Sequence, residues 1–253
     1  MQNLFLLSLF SISLNTAAAG TPEKIMLYSY HNHPPFVTAK NQGLTYDLAE
    51  QLNTLAAGRY NFEVKIVPRS RLNYFISGWI NGKCPNIECD NNWLVPWVNP
   101  KWGFSTTNAN NYLWHPLFID SNVIVSNTSN HFEYTGPESL KGGVLAGMRG
   151  HSYVGIDELV NSGEVTRIDG NRERDNLLKV LKNRVTATLL PRSTMQYFLK
   201  EDSEIKKQKN QLKVSKKVHQ QYQRFIMLPS GREKVLSLLQ SVPVATLINT
   251  VAQ

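Results

Sequence analysis

Residues 149–152 (Arg-Gly-His-Ser) are the part of this sequence best suited to binding an anion. If a helix begins at Ser152, its free backbone N–H groups, its dipole and the serine hydroxyl would all favour a carboxylate or a phosphate. The Arg149 guanidinium would add a full positive charge beside them. The alternative is that Ser152 only caps its helix. We predict an anion site here, with Arg149 and Ser152 as ligand contacts.

Three more arginines lie where a predicted strand is followed by a predicted helix. Arg69 and Arg71 begin the helix after the second strand, and Arg192 begins a later helix. For Arg69 and Arg71 the alternative is surface solvation or a structural ion pair. We expect at least one of the two, Arg69 in our assignment, to face a ligand, and Arg192 to add charge to the same site.

Tyr30, His31 and His33 follow the first predicted strand. Two imidazoles placed two residues apart would be able to hold a metal ion from one face of a strand, but no third ligand is evident in the sequence. The H-E-x-x-H, G-x-S-x-G and P-loop motifs do not occur, so the common hydrolase and nucleotide-binding signatures are missing. We expect no metal and no cofactor.

Cys84 and Cys89 are the two cysteines of the sequence. Two cysteines exclude a four-cysteine zinc site and a framework of several disulfides. Their C-x4-C spacing differs from the C-x-x-C of redox motifs. In an oxidising compartment we expect them to form one disulfide that closes a small loop.

The composition is that of an ordinary folded protein with a moderate positive charge. The 253 residues are 42% hydrophobic and 18% charged, with a formal net charge of +8, which excludes a disordered tail, a fibrous repeat and a small disulfide-stapled protein. The lysine-rich stretch 206–217 lacks interleaved aromatic residues, so it is typical of a solvated surface and not of a nucleic-acid groove.

The first residues are predicted to be a cleaved secretory signal. Residues 4–14 form an apolar run too short to span a membrane, and three alanines at 17–19 fit a signal-peptidase site. The amino terminus lacks the usual Lys or Arg, and a buried N-terminal strand or helix is the alternative. No later apolar run reaches membrane-spanning length. We therefore expect residues 1–19 to be removed and the mature chain to be exported without membrane insertion.

The spacing of apolar residues predicts alternating strands and helices. Strands are predicted at 24–30, 60–67, 93–98, 118–126, 143–148, 166–169, 186–190 and 225–228. Helices are predicted at 43–58, 70–80, 152–161, 172–183, 192–200, 232–240 and 244–251. This is the pattern of an α/β protein with a mostly parallel sheet. Because the pattern occurs twice, we expect two lobes: the first at 20–120 and again at 219–253, the second at 121–218.

Several segments resemble a known family. Pro34-Pro35-Phe36, the stretch 43–49 (GLTYDLA), the stretch 140–153 (LKGGVLAGMRGHSY) and the stretch 97–102 (WVNPKW) are similar to the extracellular solute-binding proteins of family 3. These are type II periplasmic binding proteins that serve polar amino-acid ABC transporters. The resemblance implies a two-lobed type II periplasmic-binding-protein fold, with a ligand cleft between the lobes. It also implies that Tyr30 and His33 lie at cleft positions, where the alternative for each is a solvated loop residue.

The sequence departs from the family at both charge anchors for an amino acid. The family's Ser/Thr-x-x-Arg element is replaced by the 97–102 stretch, which contains Trp97, Asn99 and Trp102 but no arginine. The family's ammonium-binding Asp is also missing, since the strand ending at 190 continues into Pro-Arg-Ser. We therefore expect a ligand other than a standard amino acid. The arginines described above favour an anionic ligand, contacted by Asn99 and with Trp97 and Trp102 as stacking surfaces. Core packing is the alternative for either tryptophan.

The resemblance implies a monomeric periplasmic protein that closes on a small molecule by hinge motion. Its partner would be an ABC permease or a membrane sensor. An enzyme of the same fold, similar to the dehydratases that act on cyclic carboxylates, is the alternative function. That chemistry needs a general acid in the cleft, and His33 is the one candidate that the sequence offers.

Overall fold

The computed structural model describes residues 20–84, 89–104 and 109–243. The predicted signal at 1–19 and the predicted helix at 244–251 lie outside the described residues. The strands are β1 (Glu23–Ser29), β2 (Tyr60–Ile66), β3 (Trp93–Val98), β4 (Tyr112–Asn127), β5 (Val144–Met148), β6 (Thr166–Gly170), β7 (Ala187–Pro191), β8 (Leu212–Val214) and β9 (Gln220–Pro229). The helices are α1 (Leu44–Ala56), α2 (Arg69–Ile80), α3 (Asp157–Asn161), α4 (Glu173–Leu181), α5 (Arg192–Glu201), α6 (Ser203–Lys207) and α7 (Glu233–Gln240).

Helix α1 shows how local sequence determines an element. Leu44, Leu48 and Leu52 recur at helical spacing, and all three are buried in the core. The helix ends at Ala57, which adopts a left-handed conformation with φ 49°, and Gly58 follows with φ 82°. Glycine adopts this conformation without strain, so the helix ends close to where the sequence predicts.

The sheet is continuous from one end of the molecule to the other, in the order β2-β1-β3-β9-β4-β7-β5-β6, with β8 also paired to β4. Strands β1, β2 and β3 are parallel at one end, and β5, β6 and β7 are parallel at the other. The long strands β4 and β9 are antiparallel to each other and run between the two parallel groups. Their pairing is irregular between Pro116 and Ile119.

Each parallel group has its own core, and we name the two groups the first lobe (β1–β3, α1, α2, α7) and the second lobe (β5–β7, α3–α6). In the first lobe, Leu238 and Leu239 of α7 join the core around Leu48 of α1. In the second lobe, Leu177 of α4 and Phe198 of α5 pack against β4 and β7. The C-terminal helix therefore packs on the first part of the chain, although about 180 residues separate α1 from α7 in the sequence.

The structure corrects the predicted start of α3. The sequence predicts a helix from Ser152, but α3 begins at Asp157. Gly155 has φ 73°, which is incompatible with a right-handed helix. The Asp157 carboxylate accepts a hydrogen bond from the Tyr153 N–H at 2.9 Å, so residues before 157 form a turn. Strands β4 and β9 are also longer than predicted, because the residues before each predicted strand, 112–117 and 220–224, pair with the other long strand.

No helix within the described ranges is both long enough and apolar enough to cross a membrane.

Candidate ligand cleft

The loops that follow β1, β3, β5, β6 and β7 meet where β4 and β9 pass between the lobes. In α/β proteins the carboxyl ends of strands are the usual place for a ligand crevice. The first lobe contributes the loop from Tyr30 to Phe36 and the loop from Asn99 to Phe104. The second lobe contributes the starts of α4 and α5. We refer to the space between these segments as the cleft.

A buried ion pair lies at the base of the cleft, between the two long strands. The side chains of Arg224 on β9 and Asp120 on β4 are 1% and 2% exposed. Arg224 donates to Asp120 Oδ2 from Nε at 2.9 Å, and its Nη2 lies 2.8 Å from the same oxygen. Asp120 Oδ2 also accepts from the Ser193 hydroxyl at 2.7 Å. Because Ser193 lies at the start of α5, Asp120 connects both long strands to the second lobe.

Arg224 is also held by the first lobe. Its Nη1 donates to the Trp97 carbonyl at 2.9 Å. The guanidinium carbon lies 4.6 Å from the Phe36 ring centroid, 5.2 Å from that of Tyr222 and 5.6 Å from that of Trp102. These contacts fix the arginine in one orientation. Little in the sequence indicates this role, because Arg224 is a single charge beside the apolar run at 225–228.

Arg69 lies half-buried on the first-lobe wall of the cleft. Its guanidinium carbon lies 4.8 Å from the Tyr30 ring centroid and 4.1 Å from that of Phe104. Its Nε donates to Asn73 Oδ1 at 2.8 Å, and its Nη2 donates to the Trp102 carbonyl. Among the described residues, no carboxylate pairs with Arg69.

His31 is the most deeply buried histidine of the cleft. Its ring lies 4.2 Å from the Tyr30 centroid and 5.1 Å from the Phe36 centroid, and its Nε2 is buried without a hydrogen-bond partner among the described residues. Burial lowers the pKa of His31 well below its ordinary value of 6.5, and the nearby positive charge of Arg224 lowers it further. His31 is therefore a neutral imidazole at neutral pH.

We expect the free energy of unfolding to decrease as the pH is lowered from about 7 to about 5. The unfolded chain protonates His31 near its ordinary pKa of about 6.5, whereas the folded chain does so at lower pH, so the unfolded state binds more protons in this range. Burial lowers the pKa values of His115, His151 and His219 in the same direction. Chemical denaturation at several pH values measures the slope. The His31→Gln variant should reduce it, and His131→Gln, a change of an exposed histidine, should not; an unchanged slope in His31→Gln would contradict the assignment.

Among the described residues, Thr194 and Glu173 of the second lobe contact the first lobe across the cleft. The Thr194 hydroxyl, at the start of α5, donates to the Pro34 carbonyl at 2.9 Å. Glu173, at the start of α4, is 4% exposed, and its Oε1 lies 3.9 Å from His33 Nδ1. A buried carboxyl group thus faces the β1 loop. Glu173 was not among the predicted site residues, since an acidic residue in the first turn of a helix is common for reasons of helix stability alone.

His151 lies at the edge of this group. The residue is exposed to solvent, yet the protein around its ring desolvates it enough to lower its pKa. The Glu173 carboxylate opposes this effect.

Within the described part of the chain, no group of three or more His, Cys, Asp or Glu side chains is arranged to hold a metal ion.

The anion site predicted at 149–152 is not formed as expected. Because α3 begins at Asp157, Ser152 does not cap a helix, and both Arg149 and Ser152 are exposed. The carbonyls at this turn are instead bound by Arg167, which donates to those of Met148 and His151 at 2.9 and 2.8 Å.

Arg167 was missed by the sequence analysis. It also pairs with Asp157 and Asp169, at 2.9 and 2.7 Å, and its guanidinium carbon lies 4.7 Å from the Tyr153 ring centroid. An arginine two residues before an aspartate on a short strand has no distinctive sequence signal. Its hydrogen bonds to the carbonyls of the turn are tertiary contacts, which the local sequence does not indicate.

The 97–102 stretch is divided between the core and the cleft. The Trp97 ring is 1% exposed and packs on Phe36, with its Nε1 donating to Thr45 Oγ1 at 3.0 Å. The Asn99 side chain donates to the Gln223 carbonyl at 2.7 Å. The Trp102 ring, in contrast, is half-buried and lies 6.1 Å from the His31 ring. Trp102 is therefore the tryptophan whose ring lies in the aromatic group of the cleft.

Arg192 and the two cysteines complete the set of predicted residues. Arg192 Nε donates to the Ser121 hydroxyl at 3.2 Å, so this side chain lies along β4 beside the base of the cleft. The predicted disulfide is present, with a Cα–Cα distance of 5.4 Å between Cys84 and Cys89.

Comparison with known proteins gives matches in structure and not in sequence. No protein-family model matches the chain, and no curated protein matches its sequence. A mutant of ArgBP from T. maritima matches with a TM-score of 0.60 and 17% identity, over 90% of this chain and 94% of that one. The GluR0 ligand-binding core from Nostoc punctiforme in complex with L-glutamate matches at 0.58 and 14%, over 91% and 99%. The periplasmic VFT2 domain of BvgS from Bordetella pertussis matches at 0.54 and 13%, over 90% and 92%.

Proposed function

We propose that this chain, which has the two-lobed fold of the periplasmic binding proteins, captures a small polar, anionic solute in the cleft between its lobes. The neighbours in structure include a substrate-binding protein of an amino-acid ABC transporter and a periplasmic domain of BvgS. The partner would accordingly be an ABC permease or a membrane sensor. The protein would act in the periplasm as a monomer, after removal of residues 1–19.

The observation that carries this proposal is the environment of Arg69. The guanidinium lies half-buried at the cleft, and none of the described carboxylates pairs with it. A half-buried cation without a counterion among the described residues favours an anionic group on the ligand. The neighbouring His31 Nε2 is buried and has no hydrogen-bond partner in the described part of the chain, so a hydrogen-bonding group of the ligand would satisfy it.

We place the hinge where β4 and β9 pass between the lobes. The pairing of these strands is irregular between Pro116 and Ile119, next to the proposed lobe boundary at 120/121. The second crossing would be near 218/219, at the start of β9. In this proposal the cross-cleft contacts of Pro34 with Thr194, and of His33 with Glu173, belong to the closed form.

A thermal-shift screen tests the proposal. Purified mature protein is heated with amino acids, organic acids, small phosphates and cyclic carboxylates, one at a time. A ligand that binds only the folded state raises the midpoint by mass action, by an amount that grows with its concentration. We expect the largest rise with an organic or phosphorylated acid. A rise with neutral or cationic amino acids alone would contradict an anionic ligand.

Turnover is the second candidate function, and the position of Glu173 favours it. A buried carboxyl beside His33 supplies the kind of general acid that dehydratase chemistry on a cyclic carboxylate requires. Mass spectrometry of each ligand that gives a thermal shift separates the two functions, because a binding protein returns its ligand unchanged. Consumption of the ligand by the protein, lost in a Glu173→Gln variant, would replace the binding proposal by the enzymatic one.

A further inference from the structure

The excess positive charge of the chain is concentrated in one segment of the second lobe. Residues 179–217 contain 11 Lys and Arg and 3 Asp and Glu, whereas the rest of the chain contains 16 of each. The formal net charge of +8 therefore lies in this segment alone. The segment includes the lysine-rich stretch 206–217, for which the sequence by itself predicts a solvated surface.

The fold brings the two ends of this segment together. The Asn127 side chain, at the end of β4, donates to the carbonyls of Val180 and Leu181 in the last turn of α4, at 3.3 and 3.2 Å. Leu212 packs against Val180 and Val185. The lysine-rich stretch, which contains Leu212, therefore lies beside the C-terminal end of α4.

Five exposed cations occupy these two adjoining parts of the second lobe, and we name them the basic surface: Lys182, Arg184, Lys206, Lys207 and Lys209. Lys182 and Arg184 follow α4, and the three lysines lie on α6 and just after it. None of the five pairs with a carboxylate of the described residues. Like charges are thus gathered on one surface without described counterions, which raises the local positive potential.

The acidic groups nearest in the sequence are occupied by other cations. Asp202 and Glu204 both pair with Arg174, at 2.5 and 2.8 Å. Glu133, which precedes the stretch by many residues, pairs with Lys213. Glu201 is the one remaining acid of the segment 179–217, and it is exposed at the end of α5.

The basic surface lies away from the cleft. Helices α4 and α5 both begin at the cleft, and the basic surface follows their C-terminal ends. Helix α5 has 10 residues, which corresponds to a length of about 15 Å. The basic surface shares no residue with the cleft, so a partner bound to it leaves the cleft open.

The composition of the basic surface favours a lipid surface over a protein partner. Protein interfaces are centred on buried aromatic or apolar anchors. The exposed large hydrophobic side chains of the described residues are Tyr74, Ile119, Val154 and Ile168, and none lies in the segment 179–217. Four of the five cations are lysines, which act as hydrated point charges and not as planar forks for one bound anion. Such charges are attracted by the summed potential of many anionic headgroups.

We propose that the basic surface binds peripherally to membranes that contain anionic phospholipids. The protein rests on the headgroups by electrostatic attraction and inserts no segment into the hydrocarbon. The proposal is independent of the proposed function of the cleft, because lipid binding requires no solute.

Sedimentation with sucrose-loaded vesicles tests this binding on the mature protein. The vesicles are phosphatidylcholine alone, or phosphatidylcholine with one third phosphatidylglycerol or one third phosphatidylserine. At low salt we expect binding to both acidic vesicles with similar affinity, since charge and not headgroup structure is recognised, and none to the neutral vesicles. About 1 M salt, where the Debye length is about 3 Å, should abolish the binding.

A triple variant locates the binding on the basic surface. Lys206→Gln/Lys207→Gln/Lys209→Gln should weaken binding to the acidic vesicles by about 100-fold, since each lysine near an acidic membrane contributes about five-fold. Lys40→Gln/Lys65→Gln/Lys234→Gln removes the same charge from exposed positions of the first lobe and should weaken binding by less than about three-fold.

The cleft variant Arg69→Ala should bind the vesicles like the unchanged protein. The proposal is overturned if acidic vesicles do not retain the protein at low salt, a result that would leave an acidic protein as the remaining class of partner. Equal binding to neutral vesicles, or equal losses in the two triple variants, would overturn it as well.

Discussion

Replacing Asp120 by alanine should lower the free energy of unfolding by about 3–5 kcal/mol. The change removes the carboxylate that neutralises Arg224, and Arg224 is 1% exposed. A buried guanidinium without a counterion cannot recover its lost hydration, so the folded state bears the whole penalty. The change also breaks the hydrogen bond from Ser193, which connects the base of the cleft to α5.

Chemical denaturation measures this effect, with Glu63→Ala as the matched control. Glu63 pairs with Lys24 at the surface, where both side chains are about half exposed, and such pairs contribute about 0–1 kcal/mol. The double variant Asp120→Ala/Arg224→Met should be less destabilised than the sum of the two single variants, because it leaves no unpaired charge. A loss below about 1 kcal/mol in Asp120→Ala would show that solvent or relaxation compensates the arginine.

Replacing Arg69 by alanine should weaken binding of the acidic ligand found in the thermal-shift screen by about 100-fold. The guanidinium supplies the proposed contact with the anion and also donates to the Trp102 carbonyl in the cleft wall. Arg69→Lys should recover part of the affinity, since lysine keeps the charge but not the planar pair of donors. Isothermal titration calorimetry gives the affinities directly.

Two other arginines serve as comparisons for Arg69. Arg71 is exposed on the same helix, two residues away, and Arg71→Ala should change the affinity less than two-fold if only long-range charge is lost. Arg149→Ala tests the site that the sequence suggested at 149–152. A larger loss of affinity in Arg149→Ala than in Arg69→Ala would move the anion contact to the second lobe.

The sequence predicted most elements of the fold, because each of these is determined by nearby residues, but it did not predict α6 or β8. The leucines of α1, the alternation in β2 and the turn glycines are local signals, and the observed bounds of β3 are those predicted. The resemblance to periplasmic binding proteins is confirmed at the level of the fold. The predicted start of α3 at Ser152 was wrong. Gly155 has a positive φ, so a helix that began at Ser152 would be interrupted there, whatever the capping ability of the serine.

The cleft was harder to predict because its contacts join residues that are far apart in the chain. Arg224 meets Asp120 across 104 positions, and Thr194 meets Pro34 across 160. Trp97 and Trp102 are only five positions apart in the sequence, yet one ring lies in the core and the other in the cleft. The burial of His31 and Glu173 likewise depends on tertiary packing, and the spacing of apolar residues in the sequence does not predict it.

The pairing of β3 with β9 also has a consequence for how the chain is made. The second lobe is a continuous stretch, so it has all of its strands before β9 leaves the ribosome. The first lobe must wait for β9, in the last described part of the chain, before β3 acquires its second neighbour opposite β1. Until then, the edge of β3 presents unpaired backbone groups beside Val95 and Trp97, which are fully buried at the end. In a nascent chain of this design, this edge of β3 is therefore among the last parts of the first lobe to be paired.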